Sequence, residues 1–93
     1  MKYLEFKMNK FGKILTDRAD GKKAYLDITR NETFPNLLDF TGVMSMGSSF
    51  GDEILPRLAE KHSNKILIKS ANMAIRSCVK KVIEDTQIEV EFV

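Results

Sequence analysis

The sequence predicts an α/β domain in which three helices pack on a mixed β-sheet. Three observations predict it: alternation of period two at both ends of the chain, compact apolar runs in the middle, and helical spacing between them. With 93 residues, 43% hydrophobic and 30% charged, a single domain spanning residues 1–93 around one core is expected. No repeat, linker or low-complexity stretch divides it.

Lys2 to Met8 alternates, with Leu4, Phe6 and Met8 on one face and Tyr3, Glu5 and Lys7 on the other, which is the pattern of a half-buried strand. Asn9 to Gly12 reads as a turn and Lys13 to Thr16 as a returning strand, so an N-terminal hairpin is expected. Asp17 with Asp20 approximates a capping box, and Ala24, Tyr25 and Ile28 continue at helical spacing, giving a first helix over Arg18 to Arg30. Gly21 is out of place in it. Asn31 to Pro35 is a loop, and Leu37-Leu38-Asp39-Phe40 is a short run of the kind found in a buried central strand.

Gly42 to Gly47 forms the exit loop. Ser49 and Asp52 make an S-x-x-D helix start, followed by Phe50, Ile54 and Leu58 on one face, with a kink expected at Pro56. Lys65 to Lys69 is the next central strand. Asn72 caps a third helix carrying Ile75, Cys78, Val79, Val82 and Ile83 inward, and Gln87 to Val93 is a charged edge strand. The expected order is therefore ββαβαβαβ.

Composition restricts function. Fifteen basic against thirteen acidic residues give a net charge of +2 with no basic face, so nucleic acid is not an expected partner. A single cysteine excludes an internal disulfide framework and suits a reducing cytoplasm. No apolar run reaches membrane-spanning length, and the charged start is not a signal segment. One His and one Cys do not suffice for a zinc site, so no metal or cofactor is expected. A serine hydrolase would need His62, which lies about 20 Å from Ser49 along one helix at 1.5 Å per residue. Gly42-x-x-x-x-Gly47-Ser48-Ser49 imitates a phosphate loop but has no Lys. An enzyme is therefore not expected.

The segment from Leu38 to Glu53 resembles the STAS domains, the anti-sigma-factor antagonists and their sulphate-transporter relatives, whose pattern is L-D-L-S-G-V followed by D-S-S-G-L-G. It is more similar to the small STAS-like domains of otherwise uncharacterised bacterial proteins, with D-F-x-G-V and S-F-x-D-E. Those positions are Asp39, Phe40, Gly42, Val43, Ser49, Phe50, Asp52 and Glu53. Thr16-Asp17-Arg18 and Asn72 also fit, so the resemblance runs from about Phe11 to Ile83. Gly47 stands where the better-known branch has Asp, and Phe50 where it has Gly.

What the resemblance implies is a regulatory protein-binding domain. Its partner would be an ATPase or kinase of histidine-kinase-like fold, and the switch would be phosphorylation of the first serine, Ser48 by position, with Ser49 beside it. The expected contact surface comprises Met44, Met46, Gly47, Phe50, Asp52, Glu53 and Arg57, with Asp39 and Arg18 supporting the loop. Homo-oligomers are compatible with this reading. Plain helix capping by the serines, a strand-end hydrogen bond for Asp39 and a surface position for Arg18 are the structural alternatives. A small-ligand or anion sensor using the helix end is the functional one.

Overall fold

A computed structural model describes residues 4–93. Lys2 and Tyr3, where the first strand was expected to begin, lie outside the described residues. Six strands and three helices follow in order: β1 (Glu5–Lys7), β2 (Ile14–Leu15), α1 (Arg18–Ile28), β3 (Leu37–Asp39), β4 (Ser45–Met46), α2 (Ser48–Glu60), β5 (Lys65–Lys69), α3 (Met73–Thr86) and β6 (Glu89–Phe92). The α/β class and the order of the expected strands and helices hold. One further strand, β4, lies within the Gly42 to Gly47 segment, whose sequence carries no strand signal.

The pairing differs from the expectation. β1, β3, β5 and β6 form one sheet in that order, β2 and β4 form a separate ribbon, and every pairing among the described residues is parallel. Among the described residues β1 and β2 form no hairpin. The reason lies in residues 8–12. Met8 opens a turn of 3-10 helix and is fully buried, and Gly12 redirects the chain at φ 118°, so β2 leaves the main sheet instead of folding back on β1.

A parallel sheet whose strands advance in one direction, joined by right-handed crossovers, carries its helices on one face. The three helices accordingly pack as a layer, with α2 between α1 and α3. Register then assigns the side chains. Phe6, Leu38, Ile68 and Phe92 stand in one row toward the helices, joined by Ile66 and Val90 two residues away. The other face carries Glu5, Leu37, Leu67 and Glu91 in one row and Lys7, Asp39 and Lys69 in the next. There Leu37 and Leu67 are buried yet stand apart from the main core, and Lys65–Glu91 (3.0 Å) and Lys69–Glu5 (3.8 Å) pair on the same face. Long charged side chains can screen apolar surface in this way.

Two glycines set the helix layer. A Cβ on Gly21 would meet the Phe50 carbonyl oxygen at 3.0 Å and Glu53 Cβ at 3.1 Å, so the residue that weakens α1 as a helix is its crossing point on α2. Gly51 does the same toward α3, where a Cβ would meet Val82 Cγ2 at 3.2 Å. α1 ends at Ile28, two residues early, because Asn31 and Glu32 turn to positive φ. α2 runs unbroken through Pro56. No helix of the described residues is long and apolar enough to cross a membrane.

Candidate functional site

The loop before α2 is built from the end of β3. Asp39, only 6% exposed, accepts from the Thr41 amide (2.9 Å) and the Thr41 hydroxyl (2.6 Å). Donation by Thr41, assisted by the charge of Lys69, holds its carboxyl below the usual range against the opposing effect of burial. The chain then turns between Phe40 and Val43, closed by the Val43 amide on the Phe40 carbonyl (3.0 Å), with Gly42 at φ 82°. That φ strains any residue with a Cβ. Phe40 and Val43 are both buried, so each fixed letter of D-F-x-G-V has a physical task.

Beyond the turn, β4 pairs with β2. Met44 and Gly47 amides donate to the Lys13 and Leu15 carbonyls, both at 2.8 Å. Asn72 holds the other side: its Nδ2 donates to the Met44 and Val43 carbonyls (3.0 and 3.3 Å), while its Oδ1 caps α3 by accepting from the Ile75 amide (2.9 Å). The capping role was legible in the sequence, and the tether to the loop was not.

α2 starts two residues earlier than S-x-x-D implied. Gly47 is the cap residue, its carbonyl already accepting from Phe50 (3.1 Å) and Gly51 (3.0 Å), so Ser48 and Ser49 are the first two helical residues. Ser49 is therefore not the cap, and among the described residues no side chain caps this helix. Among the described residues nothing accepts from the Ser48 and Ser49 amides, and both side chains are half-buried. The positive end of α2 thus carries two hydroxyls and two free donors.

Several expected contact residues point elsewhere. Met46 and Phe50 are 6% and 1% exposed and belong to the core, so neither is surface. Arg18 does not close onto the loop; its Nη1 pairs with Glu53 Oε2 at 2.8 Å. Glu53 also meets Arg57 (3.8 Å), whose guanidinium lies 3.9 Å from the Tyr25 ring centre, so these residues tie α1 to α2. Asp52 is half-buried, with one carboxylate oxygen unpaired among the described residues. Burial, then the charge of Asp85 on α3, pushes its carboxyl up. Met44 remains outward at 62% exposure, joined by two residues the sequence reading missed, Ile14 (66%) and Met73 (84%). Ile14 pairs with Ser45 across the ribbon and Met73 follows Asn72, so all three border the loop. Period-two phase in Lys13 to Thr16 and the first position after a cap were the available signals.

His62 lies beyond the other end of α2, where its Nε2 donates to the Phe34 carbonyl (2.7 Å). Among the described residues no three His, Cys, Asp or Glu side chains are grouped to hold a metal. The architecture is thus that of a small two-layer α/β module presenting a seryl turn at one end of its central helix. Residues 20–76 match the model of the family described as STAS-like domain of unknown function (DUF4325), and the chain belongs to that family. No curated protein and no solved structure matches it.

Proposed function

We propose that this chain is a regulatory docking domain that binds a partner protein through the seryl turn, with phosphorylation of Ser48 breaking the complex. The reading assigns it no reaction and no cofactor. One observation carries it: two half-buried serines open a helix without a side-chain cap, beside Met44 exposed at 62%. A phosphate adds about −1.5 to −2 charges, which a helix N-terminus tolerates but an interface that must be desolvated does not. Ser48 and Asp52 are four residues apart and share a helix face, so the new charge would add to that of a carboxylate already disfavoured by burial.

The partner class this reading favours is an ATPase or kinase of histidine-kinase-like fold, met in the cytoplasm. Photo-methionine incorporated at Met44 in the source cells tests the surface. A cross-link through that position to one such protein supports the reading, and cross-links only through α1 or the sheet contradict it.

The free Ser48 and Ser49 amides favour a second reading, an anion sensor. A rise in melting temperature with inorganic phosphate or nucleotides, abolished by Ser48→Pro, would select it over docking.

A further inference from the structure

Among the described residues no strand pairs with the β2 edge of the β2–β4 ribbon. Lys13 and Leu15 turn their carbonyls toward β4, accepting from Met44 and Gly47 at 2.8 Å each. Successive residues of a strand aim their peptide groups to opposite sides, so the N–H and C=O of Ile14 face away from β4. Among the described residues no turn, loop or side-chain hydrogen bond reaches either. The outer edge of β4 is different, because Asn72 already occupies the Val43 and Met44 carbonyls.

On the open side of β2 lies a cleft of about 400 Å³, within the size range of natural binding clefts. Ile14 and Leu15 form one wall, Asp20, Lys23 and Ala24 of α1 the other, and Phe11 contributes from the turn before β2. No β4 residue lines it, which places it on the side of β2 where the free edge is. Ile14 is exposed while Leu15 and Ala24 are buried, so an apolar lip stands over an apolar floor. Asp27 in the same wall is already engaged by Lys10 and Arg30, both at 2.7 Å, which leaves Asp20 and Lys23 as rim charges of opposite sign.

A free strand edge facing a helix across an apolar cleft is the arrangement in which an extended peptide adds as a further strand and seats a side chain beside it. We propose that β2 and α1 form a peptide groove. An extended segment of a partner protein pairs with the backbone of Ile14, places one Leu- or Phe-sized side chain in the cleft, and sets flanking charges against Asp20 and Lys23. A helical segment has its own backbone groups bonded internally and cannot use the Ile14 donor and acceptor. The groove is a second surface beyond the seryl turn and does not depend on the Ser48 switch.

The test uses the isotope-labelled chain and pooled acetylated, amidated heptapeptides with randomised flanks and Leu, Phe or Asp fixed at the centre. Leu and Phe pools are expected to move the amide resonances of Ile14 and Ala24, and the Asp pool to leave them in place. N-methylation of the tightest peptide, one residue at a time, is expected to weaken binding at least tenfold at one position only, the residue whose N–H meets the Ile14 carbonyl. Ser48→Asp should leave peptide affinity within twofold, which separates this groove from the seryl turn. No response at Ile14, an equal response to the Asp pool, or N-methyl sensitivity at no position or at several would overturn the proposal.

Discussion

Asn72 joins Met44 to the start of α3: its Nδ2 donates to the Met44 carbonyl at 3.0 Å while its Oδ1 accepts from the Ile75 amide at 2.9 Å. One side chain thus fixes a helix end and the loop entering the seryl turn. Asn72→Ala removes both and should cost about 1–3 kcal/mol in urea unfolding, a cap and a hydrogen bond together. Asn72→Asp keeps the cap oxygen and loses the donor. It should cost less, while amide exchange at Met44 and Ser45 speeds up as much as in the alanine variant.

Gly21→Ala should reverse the usual sign of a helix substitution. Alanine in a helix interior ordinarily gains about 0.5–1 kcal/mol over glycine. Here the new methyl meets the Phe50 carbonyl oxygen, which is backbone and cannot swing aside, at 3.0 Å. A net loss of about 1–3 kcal/mol is expected. Gly51→Ala meets the Val82 side chain at 3.2 Å, which can yield, so its melting temperature should fall less.

Asp52 should make the fold less stable as pH rises. Its carboxyl is pushed up by burial and by Asp85, so between the unfolded and folded pKa values the folded chain holds the proton and the unfolded chain does not. Stability is then lost with rising pH across that interval. Asp52→Asn should raise the melting temperature at pH 7 and leave it nearly unchanged at pH 3. Asp39 has the opposite sign: its lowered carboxyl contributes stability at neutral pH that disappears in acid, so Asp39→Asn should destabilise at pH 7 and converge with wild type at low pH.

Cys78 should be a slow thiol. It is buried between α2 and α3, and burial together with the Asp52 charge pushes its pKa up to about 11. Reaction with an aromatic disulfide at pH 8 should run about two orders of magnitude below an unperturbed thiol. It should reach the ordinary rate on unfolding in urea.

What the sequence shows and what it withholds divide along one physical line. The apolar period in Ile75, Cys78, Val79 and Val82 and the run Ile66-Leu67-Ile68 are local signals, and both elements stand where they were read. Strand pairing is not local: the alternation of Glu5 to Lys7 is the same whether the partner is β2 antiparallel or β3 parallel, so the expected hairpin had no means of being excluded. Phe50 posed a related conflict, sharing a stripe with Ile54 and Leu58 while also lying in the serine motif. Once α2 begins at Ser48, helix phase turns Phe50 inward, and the proposed contact surface contracts toward Met44 and the two serines. The pairing of Arg18 with Glu53 depends on how α1 crosses α2 at Gly21, which no spacing rule encodes.

Charge at the start of α2 is expected to govern docking, and the direct measurement is calorimetric affinity of wild type, Ser48→Ala and Ser48→Asp for the protein cross-linked through Met44. We expect Ser48→Ala to bind within about threefold of wild type and Ser48→Asp to bind at least tenfold more weakly, about 1.4 kcal/mol. Equal affinity of Ser48→Asp and wild type would contradict the account.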